Sequence, residues 1–306
     1  MKRSSLARAA TIAICAAGLM IVAGRADMRG EPNHLPGVGG IHWARDAQPA
    51  ARPAKNPNLI YHGGTVMHGT FVEAIFWGTS WTNSSFAGDK VSGLQSFYAG
   101  MGNSNYAATN GEYTDGSGHV STAIALGATH FDFSAVTAKG STTGPILAEV
   151  CAQISSPASN GYYPVYVDRS RGHAKFCAWH SSGTCNGVQV QFAFFFNLDG
   201  DPGCDPEDAN GAVDGHSQGL AALANVSGHE LSETMTDNHL DAWYDSNGAE
   251  NSDKCAWTFG TPLLTFNGGS QWKIQGNWSN SAYNTATRGY PNSSGQKGCI
   301  DGGNYK

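Results

Sequence analysis

A chain of 306 residues, 40% hydrophobic and 14% charged, has enough apolar material for one large domain or two tight ones. Its 18 basic residues against 24 acidic ones give a net charge of −6. With no basic stripe among them, binding to a phosphate backbone is excluded as a function class. Past the amino terminus no stretch is long and apolar enough to span a bilayer, so neither nucleic acid nor membrane is an expected partner.

The chain opens on a basic run, Met1 to Arg8, followed by an apolar run from Ala9 to Ala23 and the small-residue site Gly24-Arg-Ala26. This is the pattern of a secretory signal peptide over residues 1–26, and it implies an extracellular protein. Its removal takes away Lys2, Arg3, Arg8 and Arg25 and moves the net charge from −6 to −10. Residues 27–57 are Pro-rich and poor in aromatics, and they read as a disordered tail. A single ordered domain is expected over 58–306. Cys151, Cys177, Cys185, Cys204, Cys255 and Cys299 remain after cleavage. An even number of cysteines on an oxidising export route reads as disulfides. Cys255–Cys299 is the best single pair, because it would tie the C-terminal tail to the loop after the last helix.

Along the domain, Thr70 to Trp77 reads as a buried strand. Asp89 to Met101 carries Val91, Leu94, Phe97, Tyr98 and Met101 at helical spacing. Extended structure falls between Tyr113 and Phe133. Pro145 to Ile154 reads as a helix with Pro145 in its first turn. Tyr162 to Val167, Ala174 to His180 and Val188 to Phe196 read as three successive strands. Ser217 to Met235 follows as a helix whose stripe is Leu220, Ala224, Ser227, Leu231 and Met235. The order is that of an α/β (α+β) fold: a mixed sheet closed by a final helix, with a loop-rich, disulfide-stabilised C-terminal part. It is similar to the zincin catalytic half-domain. That likeness implies that the last helix carries a metal motif and that Ala174 to His180 is an antiparallel edge strand pairing with extended substrate.

The last helix contains His229-Glu230-Leu-Ser-Glu233, an H-E-x-x-E variant of H-E-x-x-H. His229 and Glu233 share one helix face as candidate metal ligands, leaving Glu230 as the candidate general base. Third-ligand candidates follow downstream. Glu250 stands in Gly248-Ala-Glu-Asn-Ser-Asp253, with Asp253 as the residue that would orient a ligand. His239 lies ten positions after His229, the spacing of H-E-x-x-H-x-x-G-x-x-H, though Thr236 stands where that pattern has glycine. Asp237 is a further option. Glu250 is favoured and the others stay open. Zinc is the expected ion, with Mn or Ca made more competitive by the carboxylates.

Asn58-Leu-Ile-Tyr-His-Gly-Gly64, Ile75-Phe-Trp-Gly78, Phe176-Cys-Ala-Trp-His180 and Gly211-Ala-Val-Asp-Gly215 resemble the phosphate-induced protein 1/EXORDIUM family, from about Asn58 to Cys299. The microbial branch is the nearer likeness, through His229-Glu230-x-x-Glu233-x-x-Thr236-Asp237, Ala242-Trp-Tyr-Asp245, Glu250-x-x-Asp253-Lys-Cys-Ala-Trp257 and Gln275-Gly-Asn-Trp-Ser-Asn280. The resemblance implies site roles for His229, Glu230, Glu233, Asp237, Glu250 and Asp253. Its plant members are secreted, growth-related proteins of the cell wall, which implies a second reading: a non-catalytic extracellular or wall-associated protein. The first reading is a secreted, metal-dependent, peptidase-like hydrolase acting on a peptide or protein.

Three lesser features complete the reading. The loop with Asp199, Asp201 and Asp205 offers oxygen ligands for calcium, but Pro202 replaces the EF-hand turn glycine and a disulfide-pinned loop is the favoured reading. Trp272, Trp278 and Tyr283 would serve a wall polysaccharide if exposed; core packing is the favoured reading. No G-x-S-x-G occurs, so a serine hydrolase has no support.

Overall fold

Strand alternation and two-residue turns build the sheet of this protein, seen in a computed structural model that describes residues 38–49, 56–206, 214–285, 289–290 and 296–306. Its fold is mixed α/β. Four lanes are parallel: Ile124–Leu126 with His130–Asp132, then Thr70–Val72 with Ile75–Trp77, then Gly161–Ser170, then Val188–Asn197. Phe176–Cys185 joins antiparallel to Val188–Asn197 through the turn Asn186-Gly187, with Cys185 opposite Val188. Asn186 and Gly187 have φ of 52° and 81°. This is the Asn-Gly hairpin whose twist matches the flanking strands.

Strand Gly39–Trp43 then lies antiparallel on the outer edge of Phe176–Cys185, pairing Ile41 with Trp179 and His42 with Ala178. Two sequence expectations are corrected here. Residues 39–43 form an ordered strand inside the stretch read as a disordered tail, so ordered structure precedes Asn58. Phe176–Cys185 is also not a free edge over its first half, because that strand covers it. The cause is non-local: Val38, Ile41 and Ala44 are buried against the domain, and a five-residue strand has no order of its own without such a partner. Residues 1–26, read from the sequence as a signal peptide, lie outside the described residues.

Helix Thr143–Gln153 packs on one sheet face, where Trp179, Phe192, Phe194 and Phe196 form an aromatic layer. Helices Lys90–Met101 and Gln218–Thr236 pack on the other. Ser217 caps the latter, its hydroxyl accepting from the Leu220 N–H at 3.2 Å. Of that helix only Gln218 escapes full burial, because sheet, neighbouring helix and the C-terminal loops enclose it. Leu220 points at Gly93 of the neighbouring helix, and Ser227 meets the sheet through the Tyr166 hydroxyl at 2.8 Å.

The structure contains Cys255–Cys299 as expected, together with Cys151–Cys185 and Cys177–Cys204. Three disulfides suit an oxidising, extracellular compartment. No described helix is long and apolar enough to cross a membrane.

Candidate metal centre

Helical spacing brings His229 and Glu233 together: Nε2 lies 3.0 Å from Oε1, both side chains fully buried. From the hairpin strand, His180 adds its Nε2 at 3.6 Å from the other Glu233 oxygen and 2.7 Å from Glu250 Oε2. From the turn Asp253–Cys255, Asp253 places Oδ1 3.6 Å from His229 Nε2. Its N–H donates to Glu233 Oε1 at 2.9 Å and its Oδ2 accepts from the Glu250 N–H at 3.2 Å. Two groups of three ligating atoms result, His180/Glu230/Glu233 and His229/Glu233/Asp253, each with its atoms within 4.8 Å of one another.

Both oxygens of Glu230 are buried without a hydrogen-bond partner. Burial first, then the negative charge of Asp253 and Glu250, push its carboxyl well above the usual range. The His42 main chain offsets part of this and makes no hydrogen bond of ordinary geometry to it. Glu233 is raised in the same way by burial, Asp253, Glu250 and Glu230, with the Asp253 N–H opposing. Burial lowers the His229 imidazole well below its ordinary value, and His42 and His180 push it further the same way. Neutral imidazoles beside several buried carboxyl groups form a donor set that suits a divalent cation, which would bind those groups deprotonated. The buried atoms His229 Nε2 and Glu233 Oε2 also lack hydrogen-bond partners, which a cation would satisfy.

Gln275 bears on the tautomer. Its amide N donates to the Ser252 carbonyl at 3.0 Å, and its Oε1 accepts from the Trp257 N–H at 3.3 Å. These fix which end of the amide is which, so the amide N also faces His229 Nδ1, at 3.0 Å. Nδ1 is therefore the acceptor and the His229 proton sits on Nε2, toward Glu233. A cation bound at Nε2 requires that proton to move to Nδ1 and the Gln275 amide to turn over.

The other sequence candidates lie elsewhere. His239 Nε2 accepts from the Gln191 amide at 3.1 Å, and its Nδ1 lies 3.3 Å from the Thr65 hydroxyl. It belongs to neither ligating group. Asp237 is the residue after the helix end, accepting from the Ala242 N–H at 2.6 Å. Glu250 reaches the cluster through His180, and Asp253 faces His229 Nε2, the nitrogen turned to the cluster, so it stands among the candidate ligands rather than behind one. His180 and His42 were missed as site residues. His42 packs its ring at a tilt with its centroid 4.2 Å from that of His229, and its Nε2 donates to Gln275 Oε1 at 3.0 Å.

At the acidic loop, Asp199 pairs with Lys90, and Asp201 with Arg171 at 2.7 Å. No ligating group of three assembles there among the described residues, and Cys177–Cys204 pins the loop. Trp272 and Trp278 are buried, so neither is a platform for sugar; Tyr283 packs on Trp278 with ring centroids 5.0 Å apart.

No family model, curated protein or solved structure matches this chain.

Proposed function

We propose that the chain is a secreted, metal-dependent hydrolase of peptidase type, with zinc the ion its donors suit best. The observation that carries this reading is Glu230: a fully buried carboxyl whose oxygens make no well-formed hydrogen bond, set among imidazoles and carboxyl groups drawn from helix, strand and loop. A helix cap or ion pair would explain a buried glutamate structurally, and Glu230 has neither among the described contacts.

His229, Glu233 and one or more of His180, Asp253 and Glu250 would hold the ion. When bound, the ion supplies Lewis acidity and lowers the pKa of water at the site. Glu230 would take the proton from the attacking water and pass it to the leaving amine. For that it must be ionised, and a bound cation's charge would favour the ionised form against the burial and the neighbouring carboxyl groups that push it the other way. The zincin-like arrangement and the microbial EXORDIUM likeness belong to this same reading.

The second reading, a non-catalytic extracellular or wall-associated protein, is favoured by the Gln275 amide. It sets His229 in the tautomer whose Nε2–H lies toward Glu233, 3.0 Å from its Oε1, rather than the one that leaves Nε2 free to ligate an ion. Metal analysis of the purified protein, paired with hydrolysis of an unfolded protein substrate, separates the two. One bound equivalent of zinc and chelator-sensitive hydrolysis are expected. A protein that holds no metal and cleaves nothing leaves the structural reading.

A further inference from the structure

The ordered N-terminal segment sits where a hydrolase needs open space. Strand Gly39–Trp43 pairs antiparallel with Phe176–Cys185, the strand that delivers His180. A bulge falls between Gly39 and Ile41, and Gly40 occupies it with φ of 35°. A Cβ on Gly40 would stand 2.1 Å from Glu233 Oε2 and 2.3 Å from His180 Nε2. Only glycine fits against the cluster there. Two residues on, His42 packs its ring at a tilt against that of His229 and bonds Gln275. Val38, Ile41 and Ala44 are buried, at 0%, 6% and 0% exposure. Main-chain bonds continue the seat: the Ala44 N–H to the Lys175 carbonyl at 2.9 Å and the Arg45 N–H to the Gly203 carbonyl at 2.8 Å.

With this segment seated, His180, His229, Glu230 and Glu233 all have 0% exposure. No substrate reaches them. Yet the segment makes main-chain contacts of the kind a bound peptide makes: an extended backbone added to a sheet edge, here with Ile41 and His42 buried on its two faces.

We infer that residues 38–47 are a cis-bound occupant of a groove built for an extended peptide chain, and that the groove takes another peptide only after this segment leaves. This rests on the proposed hydrolase for the purpose of the groove, but the groove itself is tested by binding alone.

The test uses the full chain with a site-specific protease recognition sequence inserted after Pro49. The probe is a fluorescent peptide of residues 38–47, read by anisotropy before and after the cut, with circular dichroism as the check on folding. The cut protein is expected to take up the peptide saturably, and the uncut protein at least about tenfold less at equal concentration, as expected for an intramolecular competitor. A peptide carrying Gly40→Val should bind at least about tenfold more weakly, because its side chain collides with Glu233 and His180. A cut, folded protein that has lost its own segment yet takes up no probe overturns the inference, as does a Gly40→Val peptide that binds like the parent. Hydrolysis is read in parallel. Peptide uptake without hydrolysis retires the hydrolase and leaves the groove standing. Hydrolysis by uncut protein as fast as by cut protein overturns the inference and leaves the hydrolase.

Discussion

Glu230 and Glu233 differ by three positions and by everything around them. Glu233 is held by His229 and the Asp253 N–H, whereas Glu230 has no hydrogen-bond partner. Substituting Glu230→Gln keeps the shape and removes the base. On the proposed mechanism it should leave metal content unchanged and lower hydrolysis by at least about 10²-fold, the lower end of general-base contributions. His229→Ala should lose both metal and hydrolysis. A Glu230→Gln protein as active as its parent would retire Glu230 from that role. A third carboxyl, remote from the cluster, offers a pH test. Burial, with Asp132 adding to it, raises Glu149 from an ordinary 4.5 to about 7. Its folded-state pKa therefore exceeds the unfolded one. The stability tied to its neutral form is present below about pH 4.5 and lost as pH rises through about 7. Melting temperatures of the parent across that window should fall relative to Glu149→Gln, whose amide does not titrate. Parallel curves for the two proteins would show that Glu149 carries no such shift.

Legibility at this scale followed contact range. His229, Glu230 and Glu233 could be read because helical periodicity alone places them together. His180 stood in view in Phe176-Cys-Ala-Trp-His180, but nothing local ties a strand residue to a helix that follows some fifty positions later. His42 was hidden more deeply, in a Pro-rich stretch whose composition argues against order. His239 shows the converse: its spacing from His229 was right for a ligand, and the chain turns it toward Gln191 instead.

The motif helix depends on its neighbour as much as on the sheet. A Cβ on Gly93 would stand 2.2 Å from Leu220 Cδ2, and Leu220 is fully buried. Gly93→Ala gains about 1 kcal/mol of helix propensity. Overpacking costs about 1–3 kcal/mol, and Leu220 has little room to retreat, so the collision should win. The expected result is a net loss of up to about 2 kcal/mol in urea unfolding; a stabilised variant would mean the two helices can part slightly. Among elements, long periodic segments were legible: both helices and the strand cores fell where their patterns put them. The strand expected over Thr70 to Trp77 breaks into Thr70–Val72 and Ile75–Trp77. The strand expected to end at His180 runs on to Cys185. The second difference had a local signal, since Asn186-Gly187 is a hairpin turn and a two-residue turn obliges both strands to reach it.

Past the motif helix, the described residues hold only two-residue strands, the turn Asp253–Cys255 and the short helix Asn280–Thr285, so the order of this part rests on side-chain bonds and a bridge. Cys255–Cys299 joins the turn carrying Asp253 to the strand Cys299–Ile300. Replacing both cysteines with serine should lower stability to denaturant by about 2–5 kcal/mol. It should also weaken metal binding, because the turn that presents Asp253 to His229 loses its tether. Unchanged stability in the double variant would mean that packing of Trp272 and Trp278 suffices to hold this part.

The seating of residues 38–47 also sets a concentration. The segment is joined to the domain by residues 48–57 alone, so the groove sees its own strand at an effective concentration on the order of millimolar. A free peptide of equal intrinsic affinity must exceed that level to displace it. One cut in the connection removes that advantage: at micromolar protein the local excess drops by about 10³-fold, and the severed strand diffuses away. Opening the site would then need only the strand's own contacts in the groove to let go, with no tether returning it and no conformational signal from elsewhere. A single peptide bond, broken anywhere between Gln48 and Pro57, converts a self-occupied protein into one that answers to the peptides around it.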